Sequence, residues 1–95
     1  MENEKLISLQ QISRNYNIEV SFIHSLHELG LITLVQSEDD ECIGEECLPD
    51  VERLMRMHYD LEINMAGIEA IWHLLQRVNA MQQELMMLKN RLNQP

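Results

Sequence analysis

The sequence predicts a mostly α fold, a winged helix-turn-helix with a small β-hairpin wing and a long C-terminal coiled-coil helix. Three observations support it. Apolar residues recur at helical spacing in both halves of the chain, and β-prone residues are confined to the stretch between them. The chain has seven Met but only three Gly and two Pro. Its 95 residues leave room for one small domain and one extended element.

The N-terminal segment predicts two short helices. Ser8 and Gln11 have the spacing of a capping box, which starts a first helix. Residues 15–17 form a polar turn, since Asn tolerates turn conformations. A second helix over about 19–29 follows, and Gly30 suits the position just after its end. Its apolar face comprises Phe22, Ile23, Leu26 and Leu29. Two helices joined in this way form a helix-turn-helix.

The next segment predicts the wing. Residues 31–35 and 42–43 are β-prone, and a polar loop at 37–41 separates them. Pro49 then suits the first turn of a third helix, where Asp50 and Glu52 complement the positive helix end. One apolar stripe on this helix comprises Val51, Leu54, Met55, His58 and Leu61. We interpret His58 as a hydrogen-bonded core side chain.

The last helix is predicted over 65–92, with Asn64 as its N-cap. It would reach about 40 Å, so we divide the chain into a winged domain (1–63) and a dimerisation helix (64–95). Trp72, at its root, is expected to pack. A heptad seam comprises Ile71, Leu74, Val78, Met81, Leu85, Leu88 and Leu92. The seam predicts a homodimer. Packing on the chain's own domain is the alternative, and the helix orientation stays open.

The negative net charge of the chain restricts the classes of partner that it can bind. Lys and Arg total 7 against 16 Asp and Glu, a net charge of −9. Residues 38–62 alone hold ten acids and two Arg, a net −8. Such a chain is repelled by phosphate backbones and anionic lipids, which favours a basic protein partner over nucleic acid or a membrane.

Enzymatic, cofactor and metal functions are not expected. The glycines lie singly, and no nucleophile stands with a base. Cys42 and Cys47 lack the further ligands of a zinc site, and we expect both to be thiols. His24 and His27 have the spacing of two metal ligands on one helix face, but surface histidines are the simpler interpretation. An acidic N-terminus without a signal peptide or an 18-residue apolar run suggests a cytoplasmic protein.

Several motifs resemble those of MerR-type regulators. The step after the second helix reads Glu28-Leu29-Gly30-Leu31-Ile32, and the third helix opens with Pro49-Asp50-Val51-Glu52-Arg53-Leu54. A longer run, R-L-x-R-x-H-Y-D-L-x-I-N-x-x-G-I-x-A-I over 53–71, resembles the CbpM-like chaperone modulators within that superfamily. The residues before its glycine, Met65-Ala66, depart from the bulky residue or proline of many members.

The resemblance implies a partner. CbpM-like proteins bind the J-domain of CbpA, a DnaJ-type co-chaperone, and restrain its activity with the Hsp70 chaperone. The J-domain surface that meets Hsp70 is basic. CbpA also binds DNA, which its modulator can oppose. The superfamily also implies an antiparallel coil.

An acidic surface is therefore our candidate J-domain-binding site. Its residues are Glu38, Asp39, Asp40, Glu41, Glu45 and Glu46 of the wing, with Glu19 and Glu28 of the second helix as a further group. A merely solvated loop is the simpler explanation of such a charge run. The functional alternative is a MerR-type DNA-binding transcription regulator, although the segment 18–28 contains no Lys or Arg for base or phosphate contacts. A ligand-sensing module is a third possibility, without an evident effector pocket.

Overall fold

The computed structural model describes residues 5–94. Its strands are β1 (Leu6–Ser8), β2 (Val35–Ser37) and β3 (Asp40–Gly44), and its helices are α1 (Leu9–Tyr16), α2 (Val20–Glu28), α3 (Leu48–Met55) and α4 (Met65–Leu92). A 3₁₀ turn, Glu45–Cys47, precedes α3, and a π-helical turn, Arg56–Asp60, follows it. The strands form one antiparallel sheet in the order β1-β3-β2. The predicted mostly α winged helix-turn-helix with a long final helix is confirmed.

The helix-turn-helix forms through the predicted caps. The Ser8 hydroxyl accepts a hydrogen bond from the Gln11 backbone N–H at 3.1 Å. The turn predicted over 15–17 is reduced to Asn17, with a left-handed φ of 57°, because α1 continues through Tyr16. At the end of α2, the Gly30 N–H donates to the His27 carbonyl at 2.9 Å and the Leu31 N–H to the Leu26 carbonyl at 3.0 Å. Together with the positive φ of Gly30, these bonds make a Schellman cap.

The wing differs from the prediction in both of its strands. Residues 31–34 are not a strand, because Leu31 closes α2 and its side chain, like that of Ile32, is buried in the core. The expected loop at 37–41 shrinks to a two-residue turn, 38–39, since Ser37 already pairs with Asp40. The sequence also missed β1, which pairs with β3. Three residues are too short for a periodic signal, and tertiary pairing makes them a strand.

The hydrophobic core lies where α1, α2, α3, the sheet and the first turns of α4 meet. Its fully buried side chains are Ile12, Ile23, Leu26, Ile43, Val51, Leu54 and Ile68. Trp72 is buried at the edge of this cluster, as predicted. The helical spacing in the sequence therefore identified the inward face of α2 and, up to Met55, that of α3.

The stripe predicted on the third helix is wrong at its far end. α3 stops at Met55, and the next turn is π-helical, with the Leu61 N–H donating to the Arg56 carbonyl at 3.0 Å. Because a π turn takes more residues than an α turn, Leu61 rotates away from the core and is 66% exposed. His58 is half-buried, and its Nδ1–H donates to the Ile63 carbonyl at 3.2 Å.

The start of α4 is fixed by a cap and by two isoleucines. Asn64 Oδ1 accepts from the Gly67 N–H at 2.8 Å, as predicted for its N-cap role. Ile63 and Ile68 flank this cap at the positions of a hydrophobic staple, and both pack in the core. A Cβ at Gly67 would lie 2.7 Å from Ile63 Cγ2. Glycine thus lets Ile63 fold over the first turn.

Beyond its root, α4 leaves the domain. Ile68 and Trp72 are its buried residues, and residues 73–94 are all exposed. The Cα radius of gyration is 16.7 Å, whereas a compact chain of this length has about 12 Å. The boundary we drew at residue 64 falls just before α4, although the first turns of this helix contribute to the core. Within residues 5–94, no helix combines the length and apolar character that a membrane span requires.

The contact at Gly67 predicts an unusual response to substitution. Gly67→Ala should lower the free energy of unfolding by about 1 kcal/mol, because displacing Ile63 outweighs the helix propensity gained. In the Ile63→Ala background the same change should be neutral or stabilising. Urea unfolding of the four proteins gives the coupling energy. A stabilising Gly67→Ala in the wild-type background would contradict this packing.

Candidate functional site

α2 and the wing are the surfaces that a winged helix-turn-helix uses for recognition. The inward face of α2 is Phe22, Ile23 and Leu26, which leaves Ser21, His27 and Glu28 exposed. None of the 38 residues between Arg14 and Arg53, a stretch that contains α2 and the wing, is Lys or Arg. The recognition face therefore offers no fixed positive charge to a phosphate.

Four of the predicted partner-binding acids form the wing tip, Glu38–Glu41. Glu38 and Asp39 make the turn, and Asp40 and Glu41 begin β3. All four are exposed. Glu38 has a φ of 54°, in a turn position where hairpins usually place glycine or asparagine. The tip thus places four adjacent carboxylates at one end of the hairpin.

The other two wing acids lie elsewhere. Glu45 and Glu46 belong to the 3₁₀ turn after β3, about 13 Å of extended strand beyond Glu41. The Glu46 carboxylate folds back over Gly44, since a Cβ there would lie 2.7 Å from Oε2. The six acids predicted as one patch are therefore divided between the tip and the base of the wing.

Glu19 and Glu28, the second predicted group, sit at opposite ends of α2, about 13 Å apart along its axis. Glu19 is the N-cap residue, and its carboxylate accepts from the Ser21 hydroxyl at 3.2 Å. Glu28 is exposed in the last turn. They do not form a cluster.

An exposed contact links α2 to the wing tip. His24 Nε2 lies 2.7 Å from Glu41 Oε1, and both side chains are 45% exposed. His27 instead points its Nδ1 to the Ile32 carbonyl, at 3.3 Å. The two histidines thus have different partners. Across residues 5–94, no three His, Cys, Asp or Glu side chains are grouped closely enough to hold a metal ion.

The π turn places two rings against α2. His58 stacks on Phe22 with ring centroids 4.8 Å apart and planes 15° apart. Tyr59 meets Phe22 edge-on at 5.3 Å. The Tyr59 hydroxyl accepts from the Glu19 backbone N–H at 3.4 Å. The rings of Phe22, His58 and Tyr59 therefore form one cluster, and Tyr16 and Tyr59 line the adjacent groove.

That groove, of about 450 Å³, lies between the α1–α2 turn, α3 and the π turn. We call it the tyrosine groove and define it by Tyr16, Glu52, Arg56, Tyr59 and Asp60. The Tyr16 hydroxyl donates to Glu52 Oε2 at 2.6 Å. This hydrogen bond to a carboxylate raises the pKa of the Tyr16 phenol above its ordinary value. The sequence analysis did not predict this groove. The one relevant signal was that the chain has few aromatic residues.

The predicted coil seam is uncovered in the single chain. Leu74, Val78, Met81, Leu85, Leu88 and Leu92 are exposed, and Ile71 is half-buried. Leu75, Met86 and Met87 are further exposed apolar residues of α4. A continuous apolar stripe therefore projects from the domain.

These features define a class: a winged helix-turn-helix protein with a projecting C-terminal helix. A family model described as MerR HTH family regulatory protein matches residues 7–90. The chain belongs to this MerR family of helix-turn-helix regulatory proteins. No curated protein and no solved structure gives a significant match.

The charge of α2 and the wing predicts the response to DNA. The wild-type chain should not retard a random DNA duplex in a gel shift at about 50 mM salt, because counterion release by Lys and Arg supplies most non-specific affinity. A variant with Glu38→Lys, Asp39→Lys and Asp40→Lys should retard it weakly and so validates the assay. Tight, salt-sensitive binding by the wild type would contradict the argument.

Proposed function

We propose that this MerR-family chain is a cytoplasmic, non-enzymatic inhibitor of a DnaJ/CbpA-type J-domain co-chaperone, in the manner of the CbpM-like proteins that it resembles. The observation that carries the proposal is the charge of the recognition surface. A family member that reads DNA needs cations on α2 and the wing, whereas this chain carries carboxylates there. Such a surface suits a basic protein.

The motif that carries the resemblance has a structural explanation. Within the run 53–71, His58 and Tyr59 form the π turn and its ring cluster. Asn64, Gly67 and Ile68 build the start of α4. The run therefore specifies how the projecting helix leaves the domain, a geometry that two chains sharing this motif should share. This supports placing the chain in the CbpM-like branch.

Inhibition then follows from competition. If the acidic surface covers the basic J-domain face that engages Hsp70, stimulated ATP turnover falls without any chemistry by this chain. Complementary charge mainly accelerates encounter and enforces specificity. The wing tip suits this role because its four acids are exposed and adjacent.

The wing tip predicts a salt-dependent association rate. Neutralising it by Glu38→Gln, Asp39→Asn and Asp40→Asn should slow association with a purified CbpA-type J-domain about five- to tenfold at about 50 mM salt, and less than about twofold at 0.5 M, where screening is strong. Surface plasmon resonance measures the rates.

A matched control separates a local effect from net charge. Asp50→Asn, Glu62→Gln and Glu69→Gln change the net charge equally but lie outside the wing and off the coil seam. They should slow association much less. Equal slowing by both triple variants would remove the tip from the interface, and a wild type that binds no J-domain would overturn the proposal.

Self-association belongs to the same proposal. An antiparallel pairing centred on Val78 and Met81 sets Ile71 opposite the partner subunit's Leu88 and Leu74 opposite the partner subunit's Leu85. It also brings Arg77 beside the partner subunit's Glu84, a favourable flanking pair. The exposure of the seam supports a homodimer, since a projecting apolar stripe is unstable in water.

The seam predicts which residues hold the dimer. Leu85→Gln with Leu88→Gln should give monomers in sedimentation equilibrium at tens of micromolar, because two apolar layers are lost. Met86→Gln with Met87→Gln removes side chains of similar exposure off the seam, so that variant should stay dimeric. A monomeric wild type would contradict the coil.

The DNA-binding regulator is equally consistent with the family match. It would need its phosphate contacts from outside α2 and the wing, where Lys5, Arg14, Arg53 and Arg56 are the cations of the described part of the winged domain. The gel shift on a random duplex tests whether these four cations supply phosphate contacts.

A further inference from the structure

The tyrosine groove combines features that suit a cation. Tyr16 is 37% exposed and Tyr59 42% exposed, so half of the chain's four aromatic side chains open onto one concavity. Glu52 and Asp60 also line it. Aromatic faces and carboxylates both attract positive charge, the first through the ring quadrupole and the second directly.

Contacts with neighbouring residues hold the two tyrosine rings that line the groove. Tyr59 is fixed by Phe22, His58 and the Glu19 backbone N–H. Tyr16 is held by its hydrogen bond to Glu52. Both tyrosine rings thus have partners within the chain, which reduces the entropy cost of fixing them on binding. π turns of this kind are frequent at functional sites.

We propose that the tyrosine groove binds an arginine side chain presented by the basic protein partner. The inference rests on the proposed function and deepens it by assigning a second contact site, separate from the wing tip. Exposed Tyr and Arg are the side chains that dominate many protein interfaces. The groove supplies the tyrosines, and the partner supplies the arginine.

The geometry favours arginine over lysine. A planar guanidinium can lie along an aromatic face and donate two parallel hydrogen bonds to a carboxylate. Glu52 uses Oε2 for the Tyr16 hydroxyl, and Oε1 has acceptor capacity for such a donor. Within residues 5–94, no ion pair occupies Asp60. A lysine ammonium is attracted to the carboxylates and to the ring faces, but it can neither stack flat on a ring nor donate two parallel hydrogen bonds to a carboxylate.

Arg56 is the one opposing charge among the five residues that define the groove. Its side chain borders both this groove and a neighbouring one with Arg53 and Leu61. A like charge at the rim lowers the affinity for a cation. Its removal should therefore strengthen binding, a response that loss of structure would not produce.

The direct test uses a capped single arginine, acetyl-Arg-methylamide, titrated into the ¹⁵N-labelled full chain. Amide signals of residues around Tyr16 and Tyr59 should shift in a saturable way with a millimolar dissociation constant. The neutral citrulline analogue and the lysine analogue should bind at least about threefold more weakly. No saturable shift, or equal binding by either analogue, would overturn the proposal.

Three variants locate the effect. Glu52→Gln and Asp60→Asn should each weaken arginine binding about threefold, and Arg56→Gln should strengthen it about twofold. Glu62→Gln, a matched carboxylate outside the groove, should leave it unchanged. Dispersed spectra confirm that each variant is folded. If the three groove variants and the wild type bind the capped arginine with equal affinity, the arginine binds elsewhere on the chain.

The partner assay separates this inference from the proposed function. If the wild type binds the J-domain, the combined Glu52→Gln and Asp60→Asn variant should lose about tenfold in affinity, with most of the change in dissociation rate. If that variant binds the J-domain with wild-type affinity, arginine binding by the groove is overturned and the proposed modulator function stands. If the groove binds capped arginine but the chain does not bind the J-domain, the proposed modulator function is overturned instead.

Discussion

The stacking of His58 on Phe22 joins the recognition helix to the base of the projecting helix. The rings lie 4.8 Å apart, and the His58 Nδ1–H donates to the Ile63 carbonyl. That bond fixes the short connection in which Glu62 adopts a left-handed φ of 58°. Asn64 then caps α4 in the direction that buries Ile68 and Trp72. The angle at which α4 leaves the domain, and so any dimer, depends on this contact together with the Asn64 cap and the packing of Ile63 and Ile68.

The molecule has the architecture of its family and carries an acidic recognition surface. The helix-turn-helix, the wing and the projecting helix are intact, but the 38-residue stretch that carries the recognition elements has no Lys or Arg. A fold does not by itself fix a function; the side chains placed on it do. Under the proposed function, an acidic recognition face suits a basic protein in place of nucleic acid.

The wing tip and the tyrosine groove differ in what they can contribute to recognition. Charges on an exposed turn act over about 10 Å at 0.1 M salt and mainly speed encounter. A preformed groove with aromatic walls acts only at contact, and it slows dissociation. A partner surface with several cations, one of them an arginine, would engage both. The His24–Glu41 contact, at 2.7 Å, links the tip to α2.

The sequence alone determined the features that depend on local chemistry. Ser8, Gly30 and Asn64 were recognised as caps because capping acts within a few residues, and the seam of α4 because helical periodicity extends over three heptads. Only the tertiary structure decided the rest. β1 exists because β3 pairs with it, the π turn displaces Leu61 from a stripe that looked helical, and the six wing acids separate because a strand intervenes. The tyrosine groove joins Tyr16 to Glu52 across 36 positions of sequence, and no local pattern encodes such a contact.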